Sequence, residues 1–503
     1  MSTGEHYFWW NDAQRLLSNE VAEYAASNIV PRIRECEDTK RFPWEILAEI
    51  GKKGWYGVLI PKKYGGMGEE FGITGMCIIL EEVARGAAIA VDFYETTIYG
   101  YTPIVRFGTE EQKQKWLPTL ATGEHFACIA ITEPFMGSDA AAIQTKMESA
   151  GDEFVINGKK RFITMGGVGT VYCTYVQTSD DPEDICNYRH LSAVLVEKGT
   201  PGFSVEQIHD PMGRYGSRHA VLDYENVRVP KSNLIGEIGD GWKILMDALN
   251  IERLGVAAGA IGVSRACMEA TADYTTRRVA FKKTLSEIDG IRVMGADMVI
   301  STSLMSLSTY HAAYHLDQGE AIPLGASLAK FYATDRLTKV ALDAIQCHGG
   351  DGYMRNYTPE RQLRDSKLIE IGAGANEVLQ HQIWKQWLKG YKKDRQAGLT
   401  PASTTTVTGA DAESAILKAL GDFYNQHPAL YMEKEELSES AGIMMADIDT
   451  YLLSLEEQKL VALYRTRDQV RLIKASYEGL RKAYPLDHYK KYPDFVDMEK
   501  EVF

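Results

Sequence analysis

Apolar residues change their spacing twice along this chain of 503 residues. Residues 11–120 carry them at helical intervals, residues 125–235 hold short β-prone runs, and helical intervals return from Asp240 to about residue 390. Helical, β and helical blocks in series predict a mostly helical α+β fold with a small central β domain. Gly372-Ala373-Gly374 is the nearest match to a dinucleotide-binding loop, but it follows no predicted strand, so we reject that interpretation.

Five segments are expected from these changes along the chain: an N-terminal helical domain (1–124), a β domain (125–238), a C-terminal helical bundle (239–395), a linker (396–411) and a helical extension (412–503). The linker is small, polar and aperiodic. In the extension, apolar residues at helical spacing predict a buried stripe that docks on the rest of the chain or on a partner subunit: Ile416, Leu417, Leu420, Phe423 and Tyr424.

Two local signals predict a helix end and a strand pairing. Pro31 should end the first helix, because a proline inside a helix removes a hydrogen bond. Asn157-Gly158 lies between two β-prone runs and predicts a hairpin, since both central positions of such a turn favour positive φ.

Composition limits the partners of the chain. A net charge of −14 disfavours nucleic acid, whose phosphates need a basic surface. No run of about 18 apolar residues predicts a transmembrane helix, and the start of the chain lacks the pattern of a secretory signal. Seven scattered cysteines without CxxC spacing argue against a disulfide framework or a metal site and favour a reducing cytoplasm.

Several segments resemble, in the correct order, the motifs of one enzyme family. The stretch 42–68 and the motifs ITEPFMGSD (131–139), RFIT (161–164), RVAF (278–281) and QCHGGDGY (346–353) are similar to those of FAD-dependent acyl-CoA dehydrogenases. The resemblance covers about residues 10 to 390. It implies the helical–β–helical fold of that family, bound FAD, an acyl-CoA substrate and a homodimer or homotetramer.

The resemblance also implies which residues contact FAD. Within a subunit these are Ile131, Thr132, Gly137, Ser138, Phe162, Thr164, Ala375 and Glu377. A second set is expected to reach the FAD of a neighbouring subunit: Arg278, Phe281, Gln346, Gly349 and Gly350. Phe162 departs from the family pattern, which has tryptophan there, and Lys282 stands where a glycine usually follows the arginine motif.

A carboxylate base is needed because the Cα–H bond of an acyl thioester is a weak acid. Many family members carry that base in a turn where this chain has Ala373, whereas isovaleryl- and long-chain-type members carry it on a neighbouring helix. Asn250-Ile251-Glu252-Arg253 resembles the second arrangement, so the resemblance implies that Glu252 is the base. The alternative is a glutamate on a helix surface, paired with a lysine or arginine.

The same resemblance places a substrate site around that base: Ser138, Asn250, Arg253, Ala373, Gly374, Glu95 and Tyr99. Arg253 would anchor part of CoA, and the backbone N–H of Ala373 would donate to the thioester carbonyl. Residues 93–101 align with the helix that closes the acyl pocket, where three tyrosines and Glu95 imply a short, polar or ring-bearing acyl group. The alternative is that these tyrosines pack between helices.

We therefore expect FAD-dependent α,β-dehydrogenation of an acyl-CoA to an enoyl-CoA. Glu252 would take the α-proton, flavin N5 the β-hydride, and an electron-transfer flavoprotein the electrons. One alternative is an enoyl-CoA reductase or a decarboxylating or oxidase variant on the same scaffold. Another is a catalytically silent scaffold protein, which the retained Glu252 and flavin loop disfavour.

Overall fold

The computed structural model describes residues 10–398, 407, 410–427, 430–466 and 469–489. The chain divides into two compact units, Met1–Leu388 and Lys389–Phe503. Most of the predicted linker (399–406 and 408–409) and the end of the predicted extension (490–503) lie outside the described residues. In the described part of the chain, no helix combines the length and the apolar character that crossing a membrane requires.

The described part of the first unit opens with six α-helices: α1 (Asp12–Tyr24), α2 (Val30–Thr39), α3 (Glu45–Lys52), α4 (Gly68–Gly86), α5 (Ala88–Phe107) and α6 (Glu110–Ala121). Asn11 begins α1 with a capping box, in which its side chain accepts from the backbone N–H of Gln14 at 2.8 Å. The prediction that Pro31 ends this helix is wrong. A π-helical turn (Ala25–Ile29) leads into α2, and Pro31 lies in the first turn of α2, where its missing N–H costs no bond.

An eight-stranded sheet follows: β1 (Ala127–Ala130), β2 (Lys146–Ala150), β3 (Glu153–Thr164), β4 (Val171–Gln177), β5 (Leu191–Glu197), β6 (Phe203–Ile208), β7 (His219–Pro230) and β8 (Leu234–Ile235). The order across the sheet is β6-β7-β3-β2-β4-β5-β8, and β1 pairs in parallel with β4. A short helix, α7 (Pro182–Cys186), lies between β4 and β5 in the chain.

The hairpin predicted at Asn157-Gly158 is wrong, because β3 runs through both residues. The turn between β2 and β3 lies at Gly151 instead. The pairing of β3 with β7 shifts register between Ile156 and Gly158, and a Cβ at Gly158 would lie 2.5 Å from Thr145 Oγ1. The Asn-Gly signal therefore marks a bulge in a continuous strand rather than a turn.

The helical bundle contains α8 (Gly241–Arg277), α9 (Asp289–Asp317), α10 (Pro323–His348), α11 (Pro359–Ile371) and α12 (Asn376–Gly398), with a small ribbon of β9 (Val279–Ala280) and β10 (Lys283–Thr284) after α8. Glycines of α8 allow close packing on the N-terminal helices. A Cβ at Gly262 would lie 2.0 Å from the carbonyl oxygen of Glu81, and one at Gly255 would lie 2.6 Å from Glu95 Oε1. The predicted mostly helical α+β fold with a small central sheet is confirmed.

The second unit starts within α12 and adds α13 (Ala410–Gln426), β11 (Met432–Glu433), α14 (Lys434–Ala441), α15 (Met445–Glu457), β12 (Val461–Thr466), β13 (Gln469–Ala475) and α16 (Tyr477–Ala483). It has a hydrophobic core of its own. The predicted stripe lies in that core, with Phe423 packed against its edge. The antiparallel sheet β11-β13-β12 was not predicted, because a helix-forming composition averaged over the extension hides three short strands.

Candidate active site

The middle of α8 holds Glu252 and Arg253 next to each other. Arg253 is buried, and its guanidinium donates to Asn250 Oδ1 (3.3 Å), Ser327 Oγ (3.3 Å) and Gln382 Oε1 (3.2 Å). These acceptors come from α8, α10 and α12, so three helices fix one positive charge. Because Arg253 directly follows Glu252, that charge is held beside the predicted base.

Lys330 of α10 lies buried beside the same site. Its ammonium donates to the carbonyl oxygens of Glu370 (3.1 Å) and Gly374 (2.8 Å) and to Asn376 Oδ1 (2.9 Å). Three acceptors match the three N–H donors of an ammonium. They fix the turn between α11 and α12, in which Ala373 takes a positive φ of 54°. The turn predicted to face the thioester is therefore rigid.

Burial raises the pKa of Glu252 to about 7, while the Tyr99 hydroxyl and the charges of Arg253 and Lys330 act to lower it. The Tyr99 hydroxyl interacts with the Glu252 carboxyl without the geometry of a formed hydrogen bond. A Cβ at Gly374 would lie 3.9 Å from Arg253 Nη2, so the turn is near the same charge. A carboxyl that titrates near neutral pH suits a general base.

Three buried polar atoms near Glu252 form no hydrogen bond in the described part of the chain: Glu95 Oε1 and the hydroxyls of Tyr99 and Tyr175. Glu95 and Tyr99 lie one turn apart on α5, and Tyr175 lies on β4. Burial, and next the charge of Glu252, raise the pKa of Glu95 well above its usual value. Burial also raises the pKa of both tyrosines, to which Glu252 contributes. Helices α5 and α8 and strand β4 thus bring four titratable groups together: Glu95, Tyr99, Glu252 and Tyr175.

The loop that follows β1 is anchored by Glu133. Its carboxylate accepts from the backbone N–H groups of Gln144 (2.8 Å) and Thr145 (2.9 Å) and from Lys160 Nζ (2.8 Å). Lys160 also donates to the carbonyl oxygen of Ile131 at 2.9 Å. Burial acts to raise the pKa of Glu133, but the charge and hydrogen bond of Lys160 and the other donors outweigh it, and the pKa is lowered. This ion pair holds the loop.

Anchoring through Glu133 leaves small polar groups of the loop at the surface. Thr132 is half-buried, Gly137 and Ser138 are exposed, and a Cβ at Gly137 would meet nothing within 4 Å. The carbonyl oxygen of Thr132 accepts from the N–H of Arg161 at 2.7 Å, which brings the loop against the end of β3. Two hydroxyls and open backbone at a turn suit the polar edge of a flavin or a pyrophosphate.

The end of β3 presents Phe162 and Thr164. Its pairing with β7 shifts between Lys160 and Ile163, Phe162 takes a φ of 61°, and the Phe162 ring is 53% exposed. The ring centre lies 4.9 Å from that of His209. A bulge commonly turns a side chain out of a strand in this way. Phe162 is thus presented at the surface next to the loop, where a flat ring could stack on it.

Thr164 lies close to a buried ion pair. Its Oγ1 is 3.2 Å from His219 Nδ1, and His219 Nε2 is 3.8 Å from Asp92 Oδ2. Asp92 also pairs with Arg214, whose backbone N–H donates to Asp365. The network ties α5, the entry to β7 and α11 together behind the strand end.

The second predicted set lies at the far end of α8. Arg278, Phe281, Gln346, Gly349 and Gly350 are all exposed. Tyr274 joins the two segments, because its hydroxyl donates to Asp351 Oδ2 (2.7 Å) and its ring stacks on His348. Glu252 and Arg278 are separated by about 39 Å of helix at 1.5 Å per residue. The structure therefore groups these five residues with each other and not with Glu252.

Two of the remaining predicted residues lie at the turn before α12. Ala375 is half-buried and Glu377 is exposed in the first turn of α12. Sequence reasoning missed Lys330 and Tyr175. The signals were present: Lys330 interrupts an apolar helix face, and Tyr175 interrupts a strand that is buried along nearly its whole length. A polar group in such a position is either satisfied, as Lys330 is, or available to a ligand.

Three family models match this chain: the N-terminal domain of acyl-CoA dehydrogenase at residues 11–124, the middle domain at 128–227 and the C-terminal domain at 239–388. The chain belongs to the acyl-CoA dehydrogenase family. Its members are flavin-dependent oxidoreductases that act on a CH–CH bond of an acyl-CoA thioester. The expected family and class of reaction are thereby confirmed, while the matches end before the second unit.

Individual relatives give the same result. The chain is 38% identical over 379 residues to an acyl-CoA dehydrogenase of Bacillus subtilis (strain 168), and the match covers 75% of this chain and 98% of the relative. It is 34% identical over 378 residues to acryloyl-CoA reductase (NADH) of Anaerotignum propionicum, covering 75% and 94%. The structure of butyryl-CoA dehydrogenase from Megasphaera elsdenii is similar with a TM-score of 0.73 and 31% identity, covering 76% of this chain and all of that one.

Proposed function

We propose that Glu252 is the base that removes the α-proton of an acyl-CoA. The observation that carries this proposal is that Glu252 lies half-buried on α8 beside Arg253, Lys330 and Tyr99, with its pKa raised to about 7. Near neutral pH such a carboxyl is partly ionised and can accept a proton, and burial makes its charged form more reactive than one in water. The opposing charges of Arg253 and Lys330 keep the ionised form accessible.

The thioester carbonyl is proposed to accept a hydrogen bond from the backbone N–H of Ala373. A donor at that oxygen stabilises the negative charge that develops when Cα loses its proton. Lys330 supports this role, because its bonds to Glu370, Gly374 and Asn376 hold the turn in one conformation. A backbone donor does not depend on the side chain at position 373, so alanine suffices there.

FAD fits the polar surface formed by Thr132, Gly137 and Ser138, with Phe162 and Thr164 at the adjoining strand end. Hydroxyl groups and an uncovered glycine backbone are the chemistry that a flavin edge and a pyrophosphate require. When bound, FAD supplies the acceptor for the β-hydride. Ile131 and Thr132 would orient the ring, Ser138 would lie between cofactor and thioester, and Ala375 and Glu377 would contact the cofactor from the bundle side.

A homodimer or homotetramer is proposed from the second set of residues. Arg278, Phe281, Gln346, Gly349 and Gly350 share one exposed surface about 39 Å along α8 from Glu252. Arginine is well suited to bind a pyrophosphate. A partner's FAD would give these exposed residues a ligand. An electron-transfer flavoprotein is proposed as the electron acceptor, as the family resemblance implies.

An alternative is that the chain reduces an enoyl-CoA. The similarity to an acryloyl-CoA reductase (NADH) favours keeping it open. The same groups would then act in reverse, with the Glu252 carboxyl giving a proton to Cα. Direction is set by the potentials of the acceptor and the substrate couple, which the position of Glu252 does not determine.

The test is anaerobic mixing of the purified, FAD-loaded protein with a panel of straight, branched, cyclic and aryl acyl-CoA thioesters. Bleaching of the flavin absorbance by at least one of them is the expected result, because hydride transfer reduces the flavin. Glu252→Gln should keep the flavin spectrum and abolish the bleaching. A protein that does not take up FAD, or a Glu252→Gln variant that bleaches at the wild-type rate, would contradict the proposal.

A further inference from the structure

The acyl side of this site contains buried polar groups that form no hydrogen bond within the described residues. Glu95 Oε1 and the hydroxyls of Tyr99 and Tyr175 are closed off from solvent and lack partners in the described part of the chain. Leaving a buried polar group unpaired is unfavourable, because the group has lost its bonds to water without replacement. Three such groups at one place, next to the proposed base, point to a ligand that supplies the missing partners.

Glycine at position 255 makes room for this cluster. A Cβ there would lie 2.6 Å from Glu95 Oε1 and 3.1 Å from Leu80 Cδ1, so alanine would displace the Glu95 carboxyl. Gly255 is three residues after Glu252 on α8, and residues three apart on a helix are neighbours on one face at about 5–6 Å. Glu95 therefore lies about one helical turn from the proposed base, where the acyl chain would continue past Cα and Cβ.

We propose that Glu95, Tyr99 and Tyr175 recognise a neutral hydroxyl on the acyl group, so that the substrate is a hydroxylated short-chain or aryl acyl-CoA rather than a plain alkyl one. This inference rests on the proposed role of Glu252. A hydroxyl can both donate and accept, as a protonated carboxyl and two phenols can. An alkyl chain in the same place would leave Glu95 Oε1 unpaired and would leave the two phenols only their weaker interactions with Glu252 and the Cys173 thiol.

The electrostatics agree with a neutral ligand group. Burial and the neighbouring charge of Glu252 raise the pKa of Glu95 well above its usual value, which favours the neutral form of the carboxyl. A second negative charge beside Glu252 would be unfavourable, and a ligand carboxylate would add one more. Arg214 acts on Glu95 in the opposite sense, but it is already paired with Asp92.

Matched substrates test the proposal directly. We would measure kcat/KM for 3-(4-hydroxyphenyl)propanoyl-CoA against 3-phenylpropanoyl-CoA, and for 6-hydroxyhexanoyl-CoA against hexanoyl-CoA. Sites built to bond a hydroxyl reject analogues without it by up to about 10⁴–10⁵-fold. At least one hydroxylated member should exceed its counterpart by about 10²-fold or more. Equal kcat/KM values within each pair, or a preference for the members without the hydroxyl, would overturn the proposal. A larger kcat/KM for 6-aminohexanoyl-CoA than for 6-hydroxyhexanoyl-CoA would also overturn it.

Two variants on one helix separate recognition from folding. Gly255→Ala should displace Glu95 and reduce the hydroxyl preference at least tenfold. Gly259→Ala is its control, because a Cβ there meets only Val91, at an ordinary 3.4 Å, and the preference should persist. Tyr175→Phe should reduce the preference in the same direction. An unchanged preference in both Gly255→Ala and Tyr175→Phe would overturn the proposal.

Failure of this inference is distinguishable from failure of the proposed function. If alkyl acyl-CoA thioesters bleach the flavin in a Glu252-dependent way and the hydroxyl gives no advantage, the base assignment holds and the recognition site is wrong. If no acyl-CoA of either kind bleaches the flavin, the proposed function itself fails, and this inference fails with it.

Discussion

Two buried carboxylate clusters of the first unit differ in how completely their polar atoms are paired. Glu133 accepts from two backbone N–H groups and from Lys160, and its pKa is lowered. Glu252 and Glu95 lie among unpaired phenols, and the pKa of each is raised. Glu133 is buried and Glu252 and Glu95 are half-buried, yet loss of water acts to raise the pKa of all three, so burial alone does not separate a structural carboxylate from a functional one. The number of partners is a better guide, because a buried polar group without a partner calls for an explanation, and a ligand or a reaction that uses the group is one.

The largest expected effect is on catalysis at the unpaired cluster. Glu252→Gln keeps the shape of the side chain but cannot accept a proton, so kcat/KM should fall about 10²–10⁴-fold. The melting temperature should not fall, since an isosteric amide avoids burying a charge. Stopped-flow reduction of the flavin and a thermal scan measure the two quantities. A destabilised variant with unchanged kcat/KM would mean that Glu252 resembles Glu133 and is structural.

The next largest effect is on stability at the paired cluster. Lys160→Met removes the side-chain cation that pairs with Glu133 and leaves that carboxylate buried, which costs about 3–5 kcal/mol. Lys159→Met is the matched control. Lys159 pairs with Glu206 at 2.8 Å, but both side chains are about half exposed, so its loss should cost less than about 1 kcal/mol. Urea unfolding measures both, and equal losses would contradict the distinction.

The two clusters should also make the free energy of unfolding depend on pH in opposite directions. The folded-state pKa of Glu252 is about 7, above its usual 4.5, so the folded protein holds more protons than the unfolded chain between these values. Stability from Glu252 is therefore lost as pH rises through that window. The lowered pKa of Glu133 acts in reverse: its contribution is present at neutral pH and lost in acid.

Thermal scans from pH 5 to pH 7 on the wild type and Glu252→Gln test this sign. The full shift of Glu252 corresponds to at most about 3 kcal/mol at 1.36 kcal/mol per pKa unit. The melting temperature of the wild type should fall relative to that of the variant as the pH rises. If the melting temperature of the wild type instead rises relative to that of the variant as the pH rises, Glu252 is ionised and well paired in the folded protein.

The sequence was sufficient for the helical–β–helical order of the first unit, because helical and β spacing are averaged over many residues, but not for the small sheet of the second unit. Local signals were less reliable. Asn157-Gly158 fits a hairpin by its own propensity, yet pairing of β3 with β7 overrides it and makes a bulge. Pro31 likewise fits a helix end, yet a π-helical turn lets the chain continue. In both places tertiary packing decided between two locally acceptable conformations.

Candidate site residues could be predicted where a motif is contiguous in sequence. Residues 131–139 and 250–253 are such motifs, although their roles remain proposals. Tyr175 and Lys330 could not be found in this way, because neither belongs to a contiguous motif. Their importance depends on which helices and strands meet at Glu252, and that is a property of the fold. The number of hydrogen-bond partners, which separates Glu133 from Glu95, likewise depends on the fold.

The smallest expected effect is a shift in the pH dependence of catalysis. If ionised Glu252 is the base, kcat/KM should rise tenfold per pH unit below about 7 and level off above it. The Tyr99 hydroxyl acts to lower the pKa of Glu252, so Tyr99→Phe should move the midpoint to higher pH and reduce the rate at pH 7 by less than about tenfold. Tyr175→Phe is the matched control, because Tyr175 is not among the groups that set the pKa of Glu252. A midpoint that moves equally in both variants, or in neither, would mean that Tyr99 and Glu252 are not coupled and that the two phenols serve the acyl group alone.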